Sequence, residues 1–542
     1  MQQELYRVIP DSGPEDPFAR LTDLQRAQLD GILAYHALRS PGEEFTVGVT
    51  VGDRTQVPMT TIDSAAADPA FTVRVQSAAV GRAPSISDRS TDAPRQIRIG
   101  HADATPATTR PVAPLSPARR VYRALERTAP TVLDRVRETV MGRRERAISV
   151  PLPRYPEGPA DSEIAAGVAA AAPPAPAPDT DRPAILFGLH WLQTGGAERW
   201  AVETVQMAKD QGFLPVVVTD QNSVHPWLTR PELADCVIVT TSFDGPEPPQ
   251  DPDLLRAIVE NFDLRGVVIH HSYWLYRALP YLRAWRPDLP VVDSLHIVEY
   301  LGGGYPGLAV RFDTCIDRHH TISPELDRWL TEVQGIDPAK LTMAPLTALT
   351  VDASQEFAPR SPDRVFTIAY VGRLSRQKRP DVFLTLVHRL VRAGVPVRAI
   401  LHGDGELAPL VSALLERYRL HDVVEQRFED VAVAQTLADS DLLVVTSINE
   451  GLTLTTFEAV AAGIPVLSAD VGSQRTIVQG RLLLPRPGGV FARRAEAEIR
   501  RLAASETERE AAWAEQRDRV AEFARHDEAH HMMKEQFAQW QG

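Results

Sequence analysis

Two glutamates eight positions apart carry the most legible chemistry of the chain. Glu450 and Glu458 lie in the stretch 447–466, SINEGLTLTTFEAVAAGIPV. The pattern predicts a strand ending near Thr446, a loop, and a helix over 455–462 that Gly463 and Pro465 bring to a stop. A loop leading into a helix presents unpaired backbone N–H groups, which suit a phosphate. A carboxylate accepts two hydroxyl hydrogen bonds, which suits a ribose or a hexose. A plainer reading stands beside this one. Thr455-x-x-Glu458 also fits a capping box, and Glu450 alone fits a solvated loop acid.

A second stretch supplies the opposite charge. Residues 371–381, VGRLSRQKRPD, follow a predicted strand. Gly372 lets backbone approach a ligand closely. Arg373 offers a planar fork for two phosphate oxygens, and Lys378 adds a compact charge. Together they would neutralise a diphosphate; the plainer reading is a solvated basic loop. Only Lys209, Lys340, Lys378 and Lys534 are lysines among 58 Lys and Arg, so a lysine here is unusual for this chain.

The elements that must position these residues are legible from about Asp181 onward. Apolar runs such as 184–189, 215–219, 237–239, 267–270 and 291–294 alternate with helical stretches, one of them over 197–211. The rhythm restarts at 366–371, 397–401 and 441–445. Continuous apolar strands separated by helices predict parallel sheets covered on both faces. Two such runs, split near 359–364, predict an α/β chain with two doubly wound, Rossmann-like domains facing a cleft. Before them, 24–38 reads as a helix, 45–51 and 71–75 as strands, and 77–115 as loop or disorder. The arginine-rich segment 116–147 reads as two helices broken at Pro130. They would pack on a neighbour or lie on an anionic lipid surface. The Ala/Pro-rich run 165–178 predicts an extended spacer.

Composition narrows the classes. The chain has 542 residues, 44% hydrophobic and 24% charged, and a net charge of −13. That balance disfavours a general nucleic-acid binder. No apolar run reaches the roughly 18 residues of a membrane span. The start carries no secretory pattern, and two cysteines, Cys236 and Cys315, build neither a disulfide framework nor a metal cage. A cytoplasmic setting follows as an expectation.

From these stretches the sequence resembles the retaining nucleotide-sugar glycosyltransferases of family 4, with the two-domain GT-B fold. The resemblance covers about residues 181–542 and rests on the Glu450-x7-Glu458 context, GRLSRQKRPD at 372–381, HGDGEL at 402–407, LQTGGAER at 192–199, and DSLH ending at His296. It implies that Arg373 and Lys378 hold the diphosphate of a UDP- or GDP-sugar and that Glu458 binds the ribose. Glu450 would contact the transferred sugar beside the N–H groups of Gly451, Leu452, Thr453 and Leu454. Gly195 and Gly196 would let the first loop of the acceptor domain approach the phosphates, and His296 would sit at the reaction centre. Retention of configuration, no cofactor and no metal are also implied. The chain departs from the family at Ile297, at Thr453, and at 344–348, where an Asn-Gly element is absent.

The expected organisation is an N-terminal α+β extension over 1–150 without an assigned function, the linker 151–181, an acceptor domain over 182–358, a donor domain over 359–510, and a C-terminal helix over 511–542 packing back on the acceptor domain. Gly403-Asp404-Gly405 lacks the dinucleotide spacing. Asp251/Asp253, Asp439/Asp441 and His526/His530/His531 read as structural rather than metal-binding, and His270-His271 either lines the acceptor side or is buried and satisfied. The expected partners are the donor and a glycan or lipid-linked acceptor, with membrane contact through 116–147 on the inner face of the plasma membrane. A GT-B epimerase or phosphorylase, or a non-catalytic nucleotide-sugar-binding scaffold, are the alternatives.

Overall fold

The computed structural model describes residues 5–9, 18–51, 69–81, 94–100, 122, 125, 130–158, 161–178, 182–243, 248–346, 356–361 and 363–541. The N-terminal part forms a four-stranded sheet from β1 (Tyr6–Ile9), β2 (Glu44–Val51), β3 (Phe71–Ser77) and β4 (Arg95–Ile99). Its order is β1-β3-β2-β4. Strand β4 falls within 77–115, which the composition predicts as loop. Its pairing with β2 buries Ile97 and Ile99, an outcome of tertiary contact that a short polar run does not announce.

The first large lobe is a seven-stranded parallel sheet: β5 (Ala184–Leu189), β6 (Leu214–Thr219), β7 (Val237–Thr240), β8 (Leu264–His270), β9 (Val291–Leu295), β10 (Arg318–Thr321) and β11 (Leu341–Met343). The order is β11-β10-β9-β8-β5-β6-β7. The second lobe is a six-stranded parallel sheet: β12 (Phe366–Val371), β13 (Val397–His402), β14 (Val424–Arg427), β15 (Leu442–Val445), β16 (Val466–Ala469) and β17 (Leu483–Leu484), ordered β14-β13-β12-β15-β16-β17. Both are doubly wound α/β sheets, as the strand–helix alternation predicts. The order reverses between β5 and β8 and between β12 and β15. A crevice opens at such points at the carboxyl ends of the strands.

Side chains alternate across the first sheet with period two. Leu186, Val216 and Val218 join one core with Val47, Val49 and Ile97 of the N-terminal sheet. Ile185, Phe187 and Val217 face the other way, onto Met533, Phe537 and Trp540. The N-terminal part is therefore packed against the first lobe. Helix Asp23–Leu38 lies along β7 so closely that a Cβ on Gly31 would stand 2.8 Å from Thr240 Oγ1. Gln28 Nε2 donates to the Val224 carbonyl at 2.7 Å.

Two expectations are corrected. The run predicted as an extended spacer, 165–178, overlaps the helix Asp161–Ala170. Ile164 is buried in the first core, and Asp161 is ion-paired with Arg311. Alanine's helix propensity acts up to Ala170, before the prolines begin. The C-terminal segment is two helices rather than one. Glu506–Phe523 packs on the second lobe through Trp513 and Phe523, and Ala529–Trp540 crosses back to the first. At Pro130 a helix begins, running Pro130–Ile148. Of residues 116–129 before it, only Tyr122 and Leu125 lie within the described residues.

Candidate active site between the lobes

The loops after β12 and β15 meet at the switch point of the second lobe. Gly372 has φ +151 and Gly403 φ +136; a Cβ on Gly403 would stand 2.2 Å from the Gly372 carbonyl oxygen, so only glycine fits there. Lys378 Nζ donates to both oxygens of Glu450, at 2.7 and 2.9 Å. The Ser447 hydroxyl also donates to Glu450, which is 5% exposed. Lys378 is thus held against the first of the two glutamates and is not free in solvent. Arg373 is exposed, and its guanidinium makes no hydrogen bond or ion pair among the described residues. The structure brings Lys378 and Glu450 together and leaves Arg373 at the rim.

Helix Leu454–Ala461 begins after Thr453, which makes no side-chain cap. The capping box open to Thr455 and Glu458 does not form, because the N-cap is Thr453, two residues earlier than that spacing requires. Glu458 is half-buried. Burial pushes its carboxyl up, and the Arg199 guanidinium of the opposite lobe pulls it back down. Leu452 packs against cores of both lobes, and a Cβ on Gly196 would lie 3.5 Å from Leu454 Cδ1. A Cβ on Gly451 would stand 2.3 Å from the His296 carbonyl oxygen. Thus Gly196 and His296 of the first lobe face Leu454 and Gly451 of the second. Tyr300 Oη donates to the Ile448 carbonyl at 3.0 Å and Asn449 Nδ2 to the Val298 carbonyl at 2.8 Å, closing the lobes at this point.

His296, 7% exposed, directly follows β9, and its tautomer follows from its partners. His320 Nε2 faces the Ala344 carbonyl at 2.7 Å, so this nitrogen donates and Nδ1 accepts. Ser294 Oγ lies 2.9 Å from that Nδ1 and spends its one proton there. Its lone pairs take Trp200 Nε1 at 3.0 Å and His296 Nε2 at 3.2 Å. His296 therefore carries its proton on Nε2 and a lone pair on Nδ1. Burial, then His271 and His270, hold it well below the usual histidine range, so it is neutral.

Sequence reasoning missed Glu198 here and left the role of His270-His271 open. Glu198 sits in the first turn of helix Gly196–Asp210, where a Cβ on Gly195 would stand 2.0 Å from its Oε2. Burial opposes its charge, yet hydrogen bonds it accepts from His190 at 3.2 Å and Trp191 at 2.5 Å hold it down at about 2. Its carboxylate occupies the space beside Gly195 at the helix start expected to approach phosphate, and the GAER run was the available signal. His271 has φ +58, an uncommon conformation for a residue with a Cβ, and stacks on Tyr305 with ring centroids 4.7 Å apart. Burial pushes it down to about 3. His270 instead meets Thr204 Oγ1 at 2.8 Å inside the core. Other candidates are structural: Asp441 pairs with Arg509 at 2.8 Å, Asp439 with Arg427 at 2.8 Å, Asp251 with Arg39 at 2.5 Å, and His530 bridges Glu203 and Glu528 at 2.7 and 2.9 Å. Residues 347–348 lie outside the described residues.

The cleft-facing loops after β12 and β15 fall inside a recognisable family segment. Residues 352–526 match the family of glycosyl transferases group 1. Relatives extend the match into the first lobe. The chain is 28% identical over 257 residues to the D-inositol 3-phosphate glycosyltransferase of Kineococcus radiotolerans, covering 42% of this chain and 59% of the relative. To the enzyme of that name from Thermobispora bispora it is 27% identical over 329 residues, covering 53% and 76%. For the first-named relative and others like it, the match spans little more than half of the relative's length. Among solved structures, Anabaena HepE in complex with UDP superposes with a TM-score of 0.50 at 17% identity, covering 66% of this chain and 98% of HepE. That likeness is one of fold, and the fold is the two-lobed GT-B arrangement. The matched segment holds Lys378, Glu450 and Glu458; His296, Gly195 and Gly196 come from the other lobe.

Proposed function

We propose that the protein transfers a glycosyl group from a nucleoside diphosphate sugar to an acceptor hydroxyl, as a retaining, metal-independent transferase of family 4. The observation that carries this reading is the pairing of Lys378 with buried Glu450 directly across from His296, at the switch point of the second sheet. A diphosphate competes with Glu450 for the ammonium, and Arg373 adds its fork from the rim. Glu450, released, accepts hydroxyls of the transferred sugar, and Glu458 accepts those of the ribose.

The acceptor oxygen then attacks the anomeric carbon from the face the diphosphate leaves. The bond from that carbon to the phosphate oxygen breaks, and the acceptor proton passes to the departing phosphate. Neutral His296, with its Nδ1 lone pair, accepts a hydrogen bond from a sugar hydroxyl without adding charge near a cation-like centre. The fixed cations and loop N–H groups stabilise the leaving diphosphate.

A UDP or GDP base and a glycan or lipid-linked acceptor of cell-envelope assembly fit this reading. Inositol 3-phosphate belongs in the acceptor screen because the relatives act on it by name. The test is a thermal-shift screen of UDP, GDP, ADP and their sugars, followed by product analysis. Stabilisation by one nucleotide series and a new glycosidic bond to the acceptor support the reading; an altered or phosphorylated free sugar, or binding without turnover, sinks it.

Membrane contact is part of the proposal. Helix Pro130–Ile148 exposes Arg135, Arg143, Arg144 and Arg146, a face that suits anionic lipid on the cytoplasmic side. No described helix is long and apolar enough to cross a membrane. Flotation of the protein with phosphatidylserine vesicles, lost at high salt, is the expected result; no flotation at low salt removes this part.

A further inference from the structure

The helix Pro130–Ile148 lies outside the matched domain, yet its acids reach the loops that carry Lys378 and Glu450. The contact runs through Arg379, which is 2% exposed. Its Nε donates to the Thr446 carbonyl at 2.6 Å, and Nη2 donates to the carbonyls of Arg486 at 2.7 Å and Ser447 at 3.3 Å. Carbonyls solvate a guanidinium but do not neutralise it. Among the described residues, the carboxylates within ion-pair distance of Arg379 are Asp134 and Glu138, each 3.5 Å from Nη1, while Asp381 of its own lobe acts on it from farther off. Asp134 and Glu138 both belong to this helix. A buried cation with no carboxylate in direct contact is costly, so the helix supplies the ion-pairing part of its neutralisation, beside the more distant Asp381 of the second lobe.

The backbone at Arg379 adds to the dependence. Its φ is 51° and ψ 62°, immediately before Pro380. A residue with a Cβ is strained there, and more so before proline. Anchoring of the guanidinium holds it. The segments so clamped are the ones that carry the site. Thr446 Oγ1 donates to the carbonyls of Lys378 at 2.8 Å and Arg379 at 3.0 Å, while the Ser447 hydroxyl donates to Glu450.

The helix is fixed at both ends. Asp134 accepts the Gly488 N–H at 2.7 Å, and Glu138 lies 3.0 Å from Arg486, whose Nη1 reaches Tyr300 Oη of the first lobe at 2.8 Å. At the far end of the helix, the Ile148 carbonyl accepts Trp329 Nε1 at 2.9 Å, and beyond it the Leu152 N–H donates to Gln334 Oε1 at 2.9 Å, both on the first lobe. Residues 130–152 therefore form a strap from one lobe to the other.

We propose that Asp134 and Glu138 are positioning residues for the candidate active site: by neutralising Arg379 they hold the Thr446–Ser447 turn and so the register of Lys378 against Glu450. What that pair binds rests on the donor reading given above. The test uses the full chain with Asp134→Asn and Glu138→Gln, alone and combined, in the native and the Arg379→Met backgrounds. Calorimetry with UDP, GDP and ADP is joined to steady-state kinetics with the matching sugars.

The expected result for the combined variant is a rise of about tenfold or more in nucleotide Kd and donor KM, as for loss of charge-assisted bonds. The kcat changes much less, and the added effect vanishes once Arg379 is methionine. An unchanged KM overturns the proposal, as does an equal loss with and without Arg379, or a fall in melting temperature and kcat at constant KM. Should the combined variant fail to fold, Glu138→Gln alone carries the same comparison, because Glu138 is only partly buried. Amide hydrogen exchange over 446–454 gives a ligand-independent readout: faster exchange confined there supports the proposal, and unchanged exchange overturns it. A native chain that binds no nucleoside diphosphate defeats the donor reading separately, and the exchange result still decides the role of the two acids.

Discussion

Lys378 and Glu450 are most informative as a pair, because each makes the other's substitution readable. Lys378→Ala removes the ammonium and leaves Glu450 with Ser447 as its remaining hydrogen-bond partner here. Donor binding is expected to weaken by about 1.5–3 kcal/mol, the range for a hydrogen bond to a charged group. Calorimetry with the nucleoside diphosphate checks it. Glu450→Gln frees the ammonium, so nucleotide affinity is expected to hold or rise while turnover collapses. Equal loss of both in the two variants would mean the pair is structural. Ser294→Ala breaks the relay that sets the His296 tautomer without touching ligand. It is expected to lower kcat by about tenfold through loss of orientation, with donor Kd unchanged. The two glutamates and the lysine were legible from residue type and spacing. Glu198 was not, since an acid in a helix's first turn is common and nothing local says that it fills a glycine's empty side.

At the scale of elements, what matters is how closely the loop after β15 approaches the loop after β9. Gly451 has no room for a Cβ, because the obstacle is the His296 backbone carbonyl and not a movable side chain. Gly451→Ala is expected to force the lobes apart, cutting turnover at least about tenfold, as for misplaced reacting groups. Melting temperature should barely move, because neither core is touched. Single-turnover kinetics beside a thermal melt would show it; unchanged turnover would mean that the contact does not persist in solution. The strands and most helices were legible, because continuous apolar runs and period-3.6 stripes are local signals. Strand β4 and the Asp161–Ala170 helix were not, since their stability comes from β2 and from the first core, far away in sequence.

The whole molecule sets the pH response. His319 lies between Asp293 at 2.9 Å and Asp313 at 3.1 Å, and the two carboxylates push it up to about 9 against the effect of burial. A raised histidine stabilises fully below about 6.5, and that contribution is lost as pH rises through 9. His530, held at about 9 by Glu203 and Glu528, acts in the same direction, discounted for its solvent exposure. His225 and His271, pushed by burial to about 3, and His320, to about 4, act oppositely: stability is lost as pH falls below about 6.5. Asp220, raised to about 7 by burial, partly offsets that acid limb by taking up a proton. Stability is expected to peak near pH 6.5, with an alkaline limb that shrinks in His319→Gln. Denaturant midpoints from pH 4 to 10 measure both limbs, and a flat profile would refute the assignment. Gly31→Val should pry the N-terminal helix from β7 and cost about 1–3 kcal/mol, as overpacking does, leaving nucleotide affinity intact.

Residue order alone specifies the two doubly wound lobes, the loop after β15 and the charged residues of the loop after β12. Those follow from periodicity and residue chemistry within a few tens of positions. Tertiary structure decided which groups meet: Lys378 on Glu450, Gly451 against His296, the Ser294 relay, and a strap whose acids neutralise Arg379 from more than 200 residues away. The reason is physical. A periodic pattern states which face of an element is buried, but the partner of a buried charge depends on the three-dimensional path of the chain, and that path is set by all the cores together.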